Sequence, residues 1–353
     1  MKILMLSSDS KIFYENSEVR QRMIEYGKLF YELHIIVLNK KLRTIDYKSQ
    51  IINNLFLYPT NSISKFSMIY DAIKIGKSLK KPDYITTQDS FEIGFAGYMI
   101  AKYQKTKLQL QIHTDFLSPY FKKESLKNKI RVYLAKYLLS KADYIRAVSE
   151  KIKESLKAKN YKLKAIIRVL PIFVDVKKIR DAEIKMNLHK KYPQFDFIIL
   201  MASRLTREKN IPLAINAMLE VIKKYPKTGL VIVGEGEENK NLKSISYKLQ
   251  ANIVFEDWTD DITSYYKTAD LFLLTSDYEG YGRTIIEALS VGLPVVSTDV
   301  GCAGESGAIL IEHNQDDLSK KIIEYIENPK KIDFKYPYES KEDYLKLFKN
   351  QFL

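Results

Sequence analysis

A single cysteine, Cys302, stands in 353 residues, so an internal disulfide framework is excluded and a reducing cytosol suits the chain. There is no D-x-D tripeptide and no His/Cys/Asp group at metal-ligand spacing, so neither a resident metal nor any other cofactor is expected. The absence of G-x-x-x-x-G-K removes the P-loop ATPases, and GEGEEN at 234–239 fails the dinucleotide fingerprint at its last position. No apolar run approaches the ~18 residues of a membrane span. The N-terminal MKILMLSSDSK turns polar by position 7, too early for a signal peptide. A cytoplasmic protein is expected, soluble or peripheral on the inner face of a membrane.

What the chain does have is enough apolar residue to fold. It is 46% hydrophobic and 28% charged, and its length exceeds one ordinary core, so two domains are expected. The net charge of +14 is one-sided. Residues 1–175 hold 32 Lys+Arg against 16 Asp+Glu, and residues 176–353 hold 25 against 27. Such a surplus in one half suggests an anionic partner for it: a membrane surface, an anionic acceptor or a nucleic acid. A merely solvated lysine face is the plain alternative. The basic stretch 120–143 sharpens the point, since Phe121, Leu126, Ile130, Tyr133, Leu134, Tyr137 and Leu138 form a broad apolar stripe flanked by lysines. Such a helix either packs on a core or lies on anionic lipid.

Short apolar runs alternate with helical stretches throughout. KILMLSS (2–8), LQLQIHT (108–114), FDFIILMASR (195–204), GLVIVGEG (229–236) and LFLLTS (271–276) read as strands, several of them covered on both faces. EVRQRMIEYGKLFYE (18–32) and IPLAINAMLEVIKKY (211–225) carry the 3.6-residue period. This alternation predicts parallel sheets in two doubly wound α/β domains, with ligands at the carboxyl ends of strands in a cleft between them. The polar segment 172–194 is expected as a linker. The boundaries are set at 1–175, 176–335 and 336–353, the last a helix capped by Ser340.

The run DYEGYGRTIIEA (277–288) leaves a strand and opens a helix. Such a turn aims backbone N–H groups and a positive helix end at a ligand, and glycines admit it closely. Backbone amides around Gly280, Tyr281, Gly282, Arg283 and Thr284 would meet phosphate or sugar. Glu279 and Glu287 would each accept from a vicinal diol. Upstream, Arg204 ends a strand and Lys209 follows five residues later, two cations suited to a diphosphate and to the charge on a departing nucleotide. His113 ends a strand of the first half.

The run 277–301, DYEGYGRTIIEALSVGLPVVSTDVG, resembles the signature of the retaining glycosyltransferase family four, of GT-B fold. Glu279, Glu287, Gly292, Pro294, Val295 and Val296 match its paired glutamates seven residues apart and the strand that follows. ASRLTREKN (202–210), LVIVGEGEE (230–238) and YYKTADLFLLTS (265–276) resemble further motifs of the family, in its order. The resemblance implies two Rossmann-like domains facing across a cleft, with a last helix crossing back to the first domain. It implies an N-terminal acceptor domain and a C-terminal domain for a nucleoside diphosphate-sugar. In the family, residues matching Arg204 and Lys209 bind the donor diphosphate. The resemblance puts Glu279 on the sugar and Glu287 on the ribose. It puts His113 beside the transferred sugar, supporting oxocarbenium charge with its backbone carbonyl as one route.

Two departures stand out. HTD replaces the family's H-D pair at 113–115. The loop 7–22 has no glycine, leaving Ser7, Ser8, Asn16 and Ser17 as donors and Arg20 or Arg22 as charge on the acceptor side. The expected function is retaining, metal-independent glycosyl transfer to a glycan, lipid-linked sugar or polysaccharide precursor. A GT-B-like sugar-nucleotide epimerase is the alternative. A nucleic-acid-binding protein is a third reading, without a recognisable module, and no nucleic acid is expected as partner.

Overall fold

The computed structural model describes residues 1–40, 50–158, 163–249 and 252–353. The chain divides into two compact units, Met1–Pro171 with Tyr338–Leu353, and Ile172–Pro337.

The first unit holds eight strands: β1 (Lys2–Ser7), β2 (Glu32–Val37), β3 (Gln50–Ile52), β4 (Leu55–Pro59), β5 (Tyr84–Thr87), β6 (Lys107–Ile112), β7 (Tyr144–Ala147) and β8 (Ile166–Val169). Their order is β3-β4-β2-β1-β5-β6-β7-β8, parallel except for the β3–β4 pair. The second unit holds β9 (Phe197–Ala202), β10 (Thr228–Val233), β11 (Ile253–Glu256), β12 (Leu271–Leu274), β13 (Val295–Thr298) and β14 (Ile309–Ile311). Their order, β11-β10-β9-β12-β13-β14, is the 3-2-1-4-5-6 order of a doubly wound nucleotide-binding sheet.

The sequence dictates this architecture through burial. Ile3–Leu6 of β1 and Ile198–Met201 of β9 are buried without alternation, as strands covered by helices on both faces must be. Helix Ile211–Lys224 turns Ile211, Ala214, Ile215, Met218 and Val221 inward, all within the second unit's core.

Three features differ from the sequence reading. β3 was not expected; three residues are too few to show a period. The segment 172–194 is not a free linker. It forms helices Val176–Asp181 and Leu188–Lys191, and Arg180 Nε donates to the Ser290 carbonyl at 2.8 Å. The chain also changes unit at 171/172 and 337/338. Tyr336 Oη bridges the N–H and carbonyl of Val174 in the second unit, while Tyr338 Oη donates to the Pro171 carbonyl in the first.

The C-terminal helix Lys341–Asn350 starts at a capping box between Ser340 and Asp343 and packs within the first unit. Phe348 is fully buried. Its ring stacks on Tyr26 at 4.0 Å and lies edge-on to Phe352, and the Arg146 guanidinium sits 5.4 Å over it. Phe348→Ala is expected to cost about 3–5 kcal/mol through the cavity it leaves. Urea unfolding would measure this, with the exposed Lys346→Ala as a near-neutral control.

Candidate active site

The strand order of the second unit reverses between β9 and β12, the switch point where a doubly wound sheet receives its ligand. The loops that leave these two strands are stitched together. Asp277 N–H donates to the Glu208 carbonyl at 2.8 Å. Thr275 Oγ1 donates to the carbonyls of Lys209 and Asn210, and Asn210 Nδ2 donates to Asp277 Oδ1 at 2.8 Å. Asn210 takes a left-handed backbone (φ 44°) to turn from the loop into helix Ile211–Lys224. The two loops therefore form one rigid ledge.

On that ledge lie the charged residues singled out in the sequence. Lys209 Nζ is 2.5 Å from Glu279 Oε1, and Ser276 Oγ donates to the same oxygen at 2.8 Å. Both members of the ion pair are mostly buried. Arg204, largely exposed, donates from Nη2 to Glu208 Oε1 at 3.0 Å, an oxygen that also takes the Thr206 hydroxyl. Arg283 pairs with Glu287 Oε1 at 3.4 Å, and Tyr266 Oη donates to Glu287 Oε2 at 3.1 Å. Each cation thus has a carboxylate partner, and each carboxylate is oriented by a hydroxyl: Ser276, Thr206 or Tyr266.

The turn between Glu279 and Glu287 is held from below. Gly282 (φ +80°) precedes helix Arg283–Ser290, a left-handed position that favours glycine. Cys302 N–H donates to the Tyr281 carbonyl at 2.8 Å, and a Cβ on Gly301 would lie 2.3 Å from that same oxygen. Tyr281 itself is buried. Gly280, Arg283 and Thr284 stay at least partly accessible. The G-E-G motif has a packing role as well, since a Cβ on Gly234 would meet the Ser203 carbonyl at 1.9 Å.

In the first unit, His113 follows β6. Gln109 and Gln111 share one face of β6 at alternate positions, and the imidazole continues the row. Gln111 Oε1 accepts from Arg146 Nη1 at 2.9 Å, and its amide donates to Thr86 Oγ1, which donates to Gln109. With that orientation fixed, Gln111 Oε1 accepts from His113 Nε2 at 3.0 Å, which leaves Nδ1 as the bare nitrogen. Burial, with Arg146 and Arg22 nearby, pushes the imidazole pKa down to about 3, so the ring is neutral. Asp115 is spent on its own turn, accepting from Leu117 N–H.

The loop after β1 uses much of its polar chemistry internally. Ser17 caps helix Glu18–Gly27 and donates to the Lys11 carbonyl. Arg20 donates to the Phe13 carbonyl and pairs with Glu15. Ser7 donates to Gln88 at 2.6 Å. Ser8 and Asn16 are exposed. Residues that sequence reasoning passed over are Glu208, Ser276, Asp277 and Tyr266 in the second unit and Gln111 and Arg146 in the first. The L-Q-L-Q-I-H alternation of β6 was the one visible signal among them.

Known proteins give the site its context. The family model described as Glycosyltransferase Family 4 matches residues 25–178, and that described as Glycosyl transferases group 1 matches residues 185–338. The chain is 30% identical over 239 residues to the alpha-monoglucosyldiacylglycerol synthase of Streptococcus pneumoniae, a match covering 64% of this chain and 54% of that protein. It is 27% identical over 288 residues to the UDP-Gal:alpha-D-GlcNAc-diphosphoundecaprenol alpha-1,3-galactosyltransferase of Escherichia coli, covering 77% and 74%. Anabaena HepE, solved in complex with UDP and glucose, aligns with a TM-score of 0.66 at 19% identity, over 93% of this chain and 90% of that one, a likeness of fold. The chain spans little more than half the length of some curated relatives it matches, 58% and 54%. The two family models fall one on each half of the chain, and each half folds as a doubly wound sheet: the chain belongs to the GT-B glycosyltransferases of family four.

Proposed function

We propose that this chain transfers a glycosyl group, with retention, from a nucleoside diphosphate-sugar to a hydroxyl of a lipid-linked or glycan acceptor at the cytoplasmic face of a membrane. The observation that carries the reading is the Lys209–Glu279–Ser276 assembly beside Arg204 at the β9/β12 switch point. An ammonium has three donors, so Lys209 can hold Glu279 and still meet a diphosphate oxygen. Arg204 has the exposed fork for a second contact. Together they would stabilise the charge that gathers on the leaving diphosphate as the glycosidic bond breaks.

Glu279 receives both of its donors on Oε1, which leaves Oε2 for sugar hydroxyls. Glu287, steadied by Tyr266, would accept from the ribose diol. Neutral His113 offers Nδ1 as an acceptor for a hydroxyl of the transferred sugar. It does not serve as an acid at physiological pH, because its proton affinity is too low. Support for the donor class comes from HepE, whose structure holds UDP and glucose. Support for a lipid-linked acceptor comes from the diacylglycerol and diphosphoundecaprenol substrates in the two relatives' names.

A thermal-shift screen against UDP-, GDP- and ADP-sugars tests the reading, and a stabilising donor is expected. For that donor, Lys209→Ala is expected to weaken binding of both the free nucleoside diphosphate and its sugar by about tenfold to a hundredfold, the size of a charged hydrogen bond. Glu279→Gln is expected to keep nucleoside diphosphate affinity and lose only the sugar's share, because Lys209 is set free. Titration calorimetry separates the two. Equal losses for sugar and free nucleotide in Glu279→Gln would count against the assignment, and no stabilisation by any nucleotide would end it.

The imidazole gives a pH signature. Folding holds His113 neutral down to about 3, while an unfolded chain protonates it near its ordinary value of 6.5. Between those values the unfolded state binds the extra proton, so this group withdraws stability as pH falls through the window. In His113→Gln the loss of stability from about pH 7 to about pH 5 is expected to be smaller than in the parent. Urea midpoints at the two pH values measure it.

A further inference from the structure

We propose that His313 is a positioning residue of the donor site. It holds the peptide between Ser276 and Asp277 and, through Ser276, the carboxylate of Glu279. The proposal deepens the donor-site reading and rests on that reading for its purpose. His313 lies between β14 and helix Gln315–Glu327, and the second unit fixes its main chain. Ile311 of β14 and Leu318 and Ile322 of the helix are buried in the core. Between them the turn is closed twice. Asn314 Oδ1 accepts from the Asp317 N–H as a helix cap, and Asp317 Oδ2 accepts from the Glu312 N–H, each at 2.8 Å. The imidazole therefore leaves a backbone that packing and capping have already placed.

The ring reaches the ledge. Its Nε2 lies 3.3 Å from the Ser276 carbonyl oxygen and 4.0 Å from Asp277 Oδ1. A carbonyl has no proton to give, so Nε2 carries the hydrogen in this pair. The same oxygen accepts from Thr298 Oγ1, at the end of β13, at 2.7 Å. Both lone pairs of the Ser276 carbonyl are thereby used, one by β13 and one by the turn after β14. The other end of that peptide is the Asp277 N–H, which donates to the Glu208 carbonyl at 2.8 Å. A peptide unit is planar, so bonds at both of its ends fix its plane. The hydroxyl of the same Ser276 donates to Glu279 Oε1 at 2.8 Å, and the orientation of the peptide is passed to the carboxylate.

A merely structural role explains less. The His313 side chain is 26% exposed, so it does not fill the core. The Ser276 carbonyl already has the buried Thr298 hydroxyl, so it would not be left without a donor if the imidazole were removed. What the imidazole adds is a second direction. With Thr298 alone the peptide can rock about one hydrogen-bond axis, and a donor from β14 stops that motion. The His313 bond is long for an N–H···O contact, so it adds precision more than stability. Precision is what a sugar-gripping carboxylate needs, since recognition geometry tolerates errors of only about 10–20°. The carboxyl ends of β12, β13 and β14 thus meet at one carbonyl, and Glu279 takes its bearing from that point.

The test compares His313→Phe, which keeps a ring and removes the donor, with His313→Gln, whose amide N–H reaches about as far as Nε2. Without ligand, amide hydrogen exchange across residues 275–279 is read by mass spectrometry. It is expected to quicken about threefold to tenfold in His313→Phe, the size of one neutral hydrogen bond, and to return to the parental rate in His313→Gln. With the stabilising donor from the UDP-, GDP- and ADP-sugar screen, titration calorimetry gives the second readout. His313→Phe is expected to lose the same factor for the nucleoside diphosphate-sugar and nothing for the free nucleoside diphosphate. Added to Glu279→Gln, it is expected to cost the sugar nothing more, because the carboxylate it positions is gone. Parental exchange in His313→Phe, no recovery in His313→Gln, equal losses for sugar and free nucleotide, or additive losses in the double variant overturns the proposal. Exchange responds whether or not a nucleotide binds, so a failed donor screen beside the expected exchange pattern sinks the donor-site reading and not the role of His313 in holding the turn. His313→Ala, which asks for no ring packing, repeats both measurements if His313→Phe melts early.

Discussion

The ion pair between Lys209 and Glu279 is the contact on which the proposed donor site of the second unit depends. It joins the loop after β9 to the loop after β12 across the switch point, and backbone and side-chain bonds from Asp277, Thr275 and Asn210 hold the same seam. Had the seam been closed by apolar contacts, the loops would be as well fixed, but the ledge would have nothing to offer a diphosphate. Had Lys209 stood alone, a mostly buried cation would have lacked compensation. The pair answers both demands. The same device recurs at Arg204–Glu208 and Arg283–Glu287, so the ledge carries strong charges and little net field. On the proposed function, a ligand would gain there by offering phosphate to the cations while its hydroxyls occupy the released carboxylate oxygens. That combination would favour a diphosphate with a sugar attached over a bare anion.

The first unit solves a different problem. His113 has a fixed orientation, and its orienting partner lies in a buried row of amides and a hydroxyl, not in a carboxylate. Such a row is costly unless every member is bonded. Arg146 Nη1 extends it from β7, although its buried Nε has no partner, and the C-terminal helix covers Arg146 with Phe348 and Tyr344. The helix is therefore more than a terminal brace. It keeps water from the guanidinium that steadies Gln111, and through Gln111 it bears on which nitrogen of His113 stays bare. The neutrality of the imidazole follows from the same arrangement, since burial and Arg146 both oppose its protonation.

Much of the fold was legible because parallel strands covered on both faces read as uninterrupted apolar runs, and the helices between them carry their period openly. The spacing of Glu279 and Glu287 was legible because one turn and one helix hold both. Their orienting groups were not. Tyr266 lies on a helix before β12, and Thr206 gains meaning only once Glu208 folds back toward it. No sequence spacing announces a hydroxyl that reaches a carboxylate from another element. The loop after β1 shows the converse. Ser17 and Arg20 look like free donors in the sequence, but a helix cap and a carbonyl consume them, because a loop without glycine must satisfy its own backbone.

The uneven charge of the two halves acquires a physical meaning from these contrasts. In the second unit the cations of the ledge are balanced one by one by carboxylates, as would suit the proposed small-molecule donor site. In residues 1–175 the cations, 32 against 16 acids, are too many for such balance. A small-molecule site built from that surplus would bind any anion and select none. On the proposed function the two halves would therefore divide the work. Paired charges in the second unit would discriminate the donor, while the surplus in the first half would supply a field that draws an anionic acceptor without choosing it.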